Sequence, residues 1–267
     1  MIDTKSIALY ILITFCKTSL LGQVLNIDRE IEIDSLHDKI ETYVNLSFNT
    51  DKLKKELIDL SVKIESDLFI KNNYVLVALY SNDVTLNGSD FIQNQGYLHF
   101  RFRDHEKRKY SSESFIQYQW NGPLGMDYRQ LAGNNLRYKI LEKQNIDFYT
   151  GVGLFYEIEQ WNLNGINSTA DPIQPNLFNR QLFRLNSYFK TAYQVNENVD
   201  ISTITYFQFP LNSNILNARW FFDLNTTLKI GKKSNCVIHW DNTFDNYRLV
   251  PISNFYYSLS IGLQFKF

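Results

Sequence analysis

Alternation of apolar and polar positions runs through almost all of this chain after its first forty residues. The segment 255–267, FYYSLSIGLQFKF, shows the pattern in full. Phe255, Tyr257, Leu259, Ile261, Leu263, Phe265 and Phe267 fall on odd positions, and Tyr256, Ser258, Ser260, Gly262, Gln264 and Lys266 on even ones. Successive side chains of a β-strand point to opposite faces, so such a strand has one apolar and one polar face. A period of two describes the chain better than the helical period of about 3.6. It predicts twelve strands, at 39–49, 55–66, 73–81, 96–104, 113–121, 128–141, 145–160, 181–194, 199–209, 218–230, 235–244 and 255–267. Most match the roughly ten residues that a tilted membrane-spanning strand needs.

The two faces differ in chemistry. Ile40, Leu46, Leu60, Ile64, Phe100, Ile116, Leu136, Val152, Leu154, Phe183, Phe189, Phe207, Phe222 and Trp240 share one parity, while the charged residues take the other. The third strand is apolar on both sides, so its facing stays open. The connections alternate in length. The long set includes 82–95, 161–180, 210–217 and 245–253, and the short set includes 142–144, 195–198 and 231–234; 105–112 is long for its side and 50–54 short. Long loops on one rim and tight turns on the other fit an outer-membrane barrel with an even strand number and both termini in the periplasm. A soluble β-sandwich also alternates, but it breaks every five or six residues with frequent Gly and Pro turns. This chain has 11 Gly and 5 Pro in 267 residues. The predicted fold class is all-β, an antiparallel up-and-down transmembrane β-barrel of about twelve strands, its apolar face toward lipid.

Composition narrows the reading further. Aromatic residues make up 15% and gather near strand ends, at Tyr43, Trp120, Tyr138, Tyr193, Phe209, Trp220 and Tyr257, where a membrane interface favours them. The mean hydropathy of −0.29 and the lack of a long apolar run beyond the N-terminus exclude a helical membrane protein, but alternation leaves a barrel untouched. A net charge of −1 gives no case for a nucleic-acid partner. Residues 1–23 have the layout of a cleaved secretory signal peptide: Lys5, then an apolar stretch from Ile7 to Phe15, then small and polar residues. Residues 24–38 are acidic and read as a short periplasmic lead or an inserted plug, and 39–267 as the barrel. Cleavage would leave Cys236 alone, without a partner for an internal disulfide.

The polar parity collects charges of both signs: Arg101, Arg103, Arg129, Arg137, Arg184 and Arg219 with Glu41, Asp59, Glu157, Glu159, Asp223 and Asp241. In a narrow lumen unpaired charge is costly, so these should pair across strands into a plug that braces the wall. The rival reading is a thin polar path for small solutes or ions. Gly133, Gly151 and Gly153 on the same face either open that path or relieve curvature. No catalytic, cofactor or metal site is expected: no G-x-S-x-G elbow occurs, and the four histidines lack ligand spacing. A rim phospholipid hydrolase would need a serine, a histidine and an orienting partner on adjacent strands, with His99 and His239 facing inward and His37 and His105 near turns.

The segments DFIQNQGYLHFRFR, ESFIQYQWN, RQLAGNNLRYKIL and FYTGVGLFYEIE, with an E-x-F-x-Q-x-Q strand followed by R-x-L-x-G, resemble the domain-of-unknown-function 481 family (DUF481), which includes salt-induced members. The resemblance spans roughly 40–267 and departs at GNN, where the family is richer in glycine. It implies an outer-membrane barrel of a Gram-negative bacterium with an envelope structural or stress-linked role, and it brings no substrate and no catalytic residue. Phe267 on the outward face resembles the C-terminal signal through which outer-membrane assembly machinery engages its clients. The expected partners are outer-membrane lipid and that machinery.

Overall fold

The computed structural model describes residues 39–52, 56–70, 74–87, 90–104, 108–163, 177–211, 214 and 216–267. Expectations for the signal segment 1–23, the lead 24–38, His37, His105 and most of the 161–180 loop lie outside them. The twelve strands are β1 (Lys39–Lys52), β2 (Glu56–Ile70), β3 (Tyr74–Asn87), β4 (Asp90–Asp104), β5 (Tyr110–Asn121), β6 (Met126–Lys143), β7 (Ile146–Asn162), β8 (Leu177–Asn196), β9 (Val199–Pro210), β10 (Arg219–Lys229), β11 (Ser234–Asp245) and β12 (Phe255–Lys266). Each pairs antiparallel with its chain neighbours, and β12 returns to β1, so the sheet closes on itself. Among the described residues the one helical turn is 3₁₀, Gly122–Leu124. Asn121 caps it, its side chain accepting the Leu124 N–H, and Gly125 ends it at a φ of 77°.

The parity read from sequence holds on every strand to which it was assigned, with the polar face inside. Ile40, Phe100, Ile116, Leu136, Val152, Phe183 and Tyr257 stand exposed on the outer wall. Glu113, Arg129, Arg137, Glu157, Glu159, Arg184 and Asp241 are buried within. The third strand now has a facing. Val75, Val77 and Leu79 point inward and join Phe69 and Tyr97 in an apolar cluster.

Two expectations change. The stretch 82–95 is not a long loop, because β3 and β4 continue as a paired hairpin to Asn87 and Asp90. Val84 and Leu86 keep the alternation going through that polar sequence, and ladder hydrogen bonds hold it wherever a partner strand is present. Tyr43 is not an interfacial aromatic: it points inward at 7% exposure and donates to Glu41 Oε2 at 2.7 Å. Strand parity overrides position along the strand, since neighbouring positions face opposite media.

One rim carries the ends of the described chain, Lys39 and Phe267, with the tight turns 144–145 and 197–198. The opposite rim carries the 3₁₀ turn and the 246–254 connection. These are the terminal rim and the loop rim below.

Candidate functional site

The inner face of β7 crosses every layer of the lumen. From the terminal rim it reads Tyr149, Gly151, Gly153, Phe155, Glu157, Glu159 and Trp161. Lowest comes a charged and aromatic layer. Glu113 accepts from Arg103 Nε at 2.8 Å and from the Tyr188 hydroxyl at 2.6 Å, and Arg137 stacks over the Tyr149 ring at 3.7 Å. Next is an apolar layer of Phe115, Leu131, Phe155, Tyr188, Ile204, Tyr206 and Phe221, drawn from six consecutive strands. Tyr188 and Tyr206 lie 5.3 Å apart and Phe115 and Phe155 6.2 Å, contacts worth about 0.5–1.5 kcal/mol each beyond area burial.

The inner glycines make this layer possible. A Cβ at Gly151 would stand 2.2 Å from the Tyr188 ring, and one at Gly133 would stand 2.4 Å from Phe155 Cβ. They admit bulk from neighbouring strands instead of opening a path.

Above the apolar layer lies an ion-pair lattice. Arg184 Nε meets Glu157 Oε1 at 2.9 Å, and Arg219 reaches Glu157, Glu159 and Asp245 at 2.9, 3.0 and 2.8 Å. Arg129 binds Glu157 and lies 3.2 Å from Glu159, while Arg180 Nη2 meets Glu159 at 2.6 Å. Four guanidinium groups thus interlock with three carboxylates, so each buried charge has an opposite neighbour. Arg180 also donates to the Tyr247 carbonyl and packs on its ring at 4.5 Å, which pulls the 246–254 connection inward. That connection buries Val250 against Leu124, Met126 and Trp161 as a cap on the loop rim.

The residues singled out in sequence divide among separate places. Arg103 and Arg137 belong to the lowest layer, and Arg101 is buried on β4 at a similar height. Glu157, Glu159, Arg184 and Arg219 form the lattice. Asp223 and Asp241 lie apart from it, directly opposite each other on β10 and β11, with His239 bonded to Asp223. Phe267 is exposed, and its N–H donates to Thr42 O at 3.0 Å across the closing seam. His99 packs within the wall, bonded to Gln117 at 3.0 Å. Sequence reasoning missed Arg180 and Asp245 because it assigned both to loops, where no parity gives a side chain its face. Extending the alternation of β8 and β11 by a few residues would have found them.

The wall around β11, β12, β1 and β2 is different. Inward-facing Asn45, Ser47, Lys63, Ser260 and His239 are partly reached by water, His239 over 21% of its side chain, whereas Glu157, Arg184, Asn186 and Gln208 have none exposed. At the terminal end of this wall the seam is latched. Lys266 Nζ meets Glu41 Oε1 at 3.0 Å across β12 and β1, and within the neighbouring β11–β12 pair Asn235 donates to Gln264 at 2.9 Å.

No protein-family model matches the chain, and no curated protein sequence matches it. Among solved structures, the chain is similar to the NanC porin, at 9% identity and a TM-score of 0.47, covering 84% of this chain and 98% of that one. It is also similar to the translocator domain of autotransporter NalP from Neisseria meningitidis, at 10% identity and 0.47, covering 88% and 90%. A third is the KdgM porin in complex with disordered oligogalacturonate, at 11% identity and 0.42, covering 86% and 99%. At these values the architecture rests on this chain's own strand pairing.

Proposed function

We propose that this chain is an integral barrel of the bacterial outer membrane, with both termini periplasmic, whose lumen is blocked and whose role is structural or stress-linked in the envelope. One observation carries the reading: the fold is inverted relative to a water-soluble domain. Large apolar side chains ring the outside, and the inside holds paired Arg, Glu and Asp. Exposed apolar area on this scale suits lipid, and closing the sheet from β12 back to β1 pairs strand edges that lipid cannot, over four residues at that seam. The DUF481 resemblance agrees with it. We read Phe267, exposed and bonded to Thr42 across the closing seam, as the assembly signal; that bond supports the reading.

The apolar layer and the ion-pair lattice support the blocked lumen. Refolded protein in planar bilayers should be electrically silent while migrating as a heat-modifiable band. Reproducible conductance steps from the folded band would overturn the blocked reading. They would favour a narrow passive channel along the water-reached wall of β11, β12, β1 and β2. A chain that fails to float with lipid vesicles would overturn the membrane reading itself.

A further inference from the structure

The outer wall is largely apolar, but where β5 meets β6 near the terminal rim it carries a polar patch. From that rim the outward face of β5 reads Tyr110, Ser112, Ser114 and Ile116, and β6 sets Tyr138, Leu136, Asn134 and Ala132 opposite them. Ser114 and Asn134 are exposed, and Ser112 is half-buried. Asn134 Nδ2 donates to Ser112 Oγ at 2.8 Å and to Ser114 Oγ at 2.9 Å. Each hydroxyl oxygen therefore accepts, while its own proton has no acceptor among the described residues.

The spacing sets the depth of this patch. Tyr110 and Tyr138, with ring centroids 4.9 Å apart, point outward at the rim, where tyrosines mark a membrane interface. At about 3.4 Å per residue and a strand tilt of about 40°, Ser112 lies about 5 Å and Ser114 about 10 Å beyond them toward the bilayer. Exposed Phe102, Ile116, Leu136 and Leu154 surround the patch. A hydroxyl donor facing hydrocarbon is costly without an acceptor. The rim beside it is basic. Lys109 Nζ stands 5.1 Å from the centroid of the Tyr138 ring, Arg108 is exposed next to it, and the bond from Lys139 N–H to Lys109 O at 2.9 Å fixes this turn against β6. The acids described nearby are engaged: Asp104 Oδ1 accepts the Ser112 N–H at 2.8 Å, and Glu142 pairs with Lys139 at 2.8 Å.

From this arrangement we infer that the outer face of β5 and β6 at the terminal rim holds one diester glycerophospholipid of the adjoining leaflet. Its phosphate lies against Lys109 and Arg108, its ester carbonyls accept the Ser112 and Ser114 hydroxyls, and its acyl chains run along Ile116, Leu136 and Leu154. Such a lipid matches the wall in order and in chemistry: an anion at the basic rim, then acceptors without donors at the depth of the two serines, then hydrocarbon. The inference rests on the membrane reading, and its test separates the two.

Protein refolded in micelles containing equal amounts of diacyl phosphatidylglycerol, its dialkyl ether analogue and glycerol 3-phosphate is analysed by native mass spectrometry. The unaltered chain should retain the diacyl lipid about tenfold over the ether, as two hydrogen bonds would give. Ser112→Ala combined with Ser114→Ala should abolish that preference, and Lys109→Gln should lower retention of both lipids. Each variant is first shown to float with vesicles and to migrate as a heat-modifiable band. Several results on folded protein would overturn the lipid site and leave the membrane reading standing. These are no retained lipid, equal retention of diacyl and ether forms, retained glycerol 3-phosphate in place of lipid, a preference unchanged in the serine variant, retention unchanged in Lys109→Gln, or a dimer that the serine variant loses. Failure of the unaltered chain to float overturns the membrane reading.

Discussion

Arg219 concentrates more of the interior electrostatics than any neighbour described above, because it contacts Glu157, Glu159 and Asp245 from one guanidinium. Replacing it with Met would leave Asp245 without its 2.8 Å partner and reduce the positive charge facing both glutamates. Removing one partner of a buried pair costs about 3–5 kcal/mol. Arg219→Met should therefore lower the unfolding free energy in urea by about that amount, while Lys139→Met, whose pair with Glu142 is solvent-reached, should change it by less than about 1 kcal/mol. Equal effects would mean that the lattice contributes no more than a surface ion pair. At this scale the sequence was informative about facing: the parity of Glu157, Glu159, Arg184 and Arg219 placed them inside. It could not say which of the inward charges would meet. Arg184 lies 27 positions from Glu157 in the chain and Arg219 lies 62, and strand register and barrel closure set those encounters.

Strand existence was legible because a two-residue period persists over about nine or more positions in every segment but the third, which is apolar on both faces. Strand ends were less so. The hairpin of β3 and β4 reaches into a polar stretch that reads as loop, and β8 begins at Leu177, inside a segment assigned to the connection before it. Polar residues near a rim can pair as readily as apolar ones once a neighbouring strand offers its backbone. The 246–254 connection shows the same limit from the other side. Its sequence predicts a surface loop, yet Arg180 and the Val250 contact fold it over the mouth. Arg180→Ala should loosen this cap and raise proteolysis at Arg248, with the barrel band unchanged. No change in cleavage would mean that Val250 alone holds the cap. Deleting Phe267 removes the Thr42 bond at the end of a four-residue seam and should lower the yield of folded, heat-modifiable barrel. Normal yield would dismiss Phe267 as an assembly determinant.

The whole molecule has two unlike halves. Strands β4 to β10 surround a dry stack of cap, ion pairs and aromatic rings, whereas the wall from β11 through β2 mixes buried polar groups such as Asp241 and Ser258 with partly exposed ones such as Lys63 and Ser260, beside the weakest seam. Excising the cap should leave the barrel electrically silent, because Phe155, Tyr206 and Phe221 still cross the lumen beneath it. Conductance appearing on cap removal alone would show that the lower layers do not block ions. The alternation, a local property repeated along the chain, determined by itself the all-β class, the number of strands, and which face of every strand but the third meets the interior. The tertiary structure alone decided that the inner glycines receive Tyr188 and Phe155, that four arginines converge on three carboxylates, and that the closing seam is short. Those outcomes depend on register between strands and on how far a closed sheet brings distant positions together, and neither is encoded in the period of any one strand.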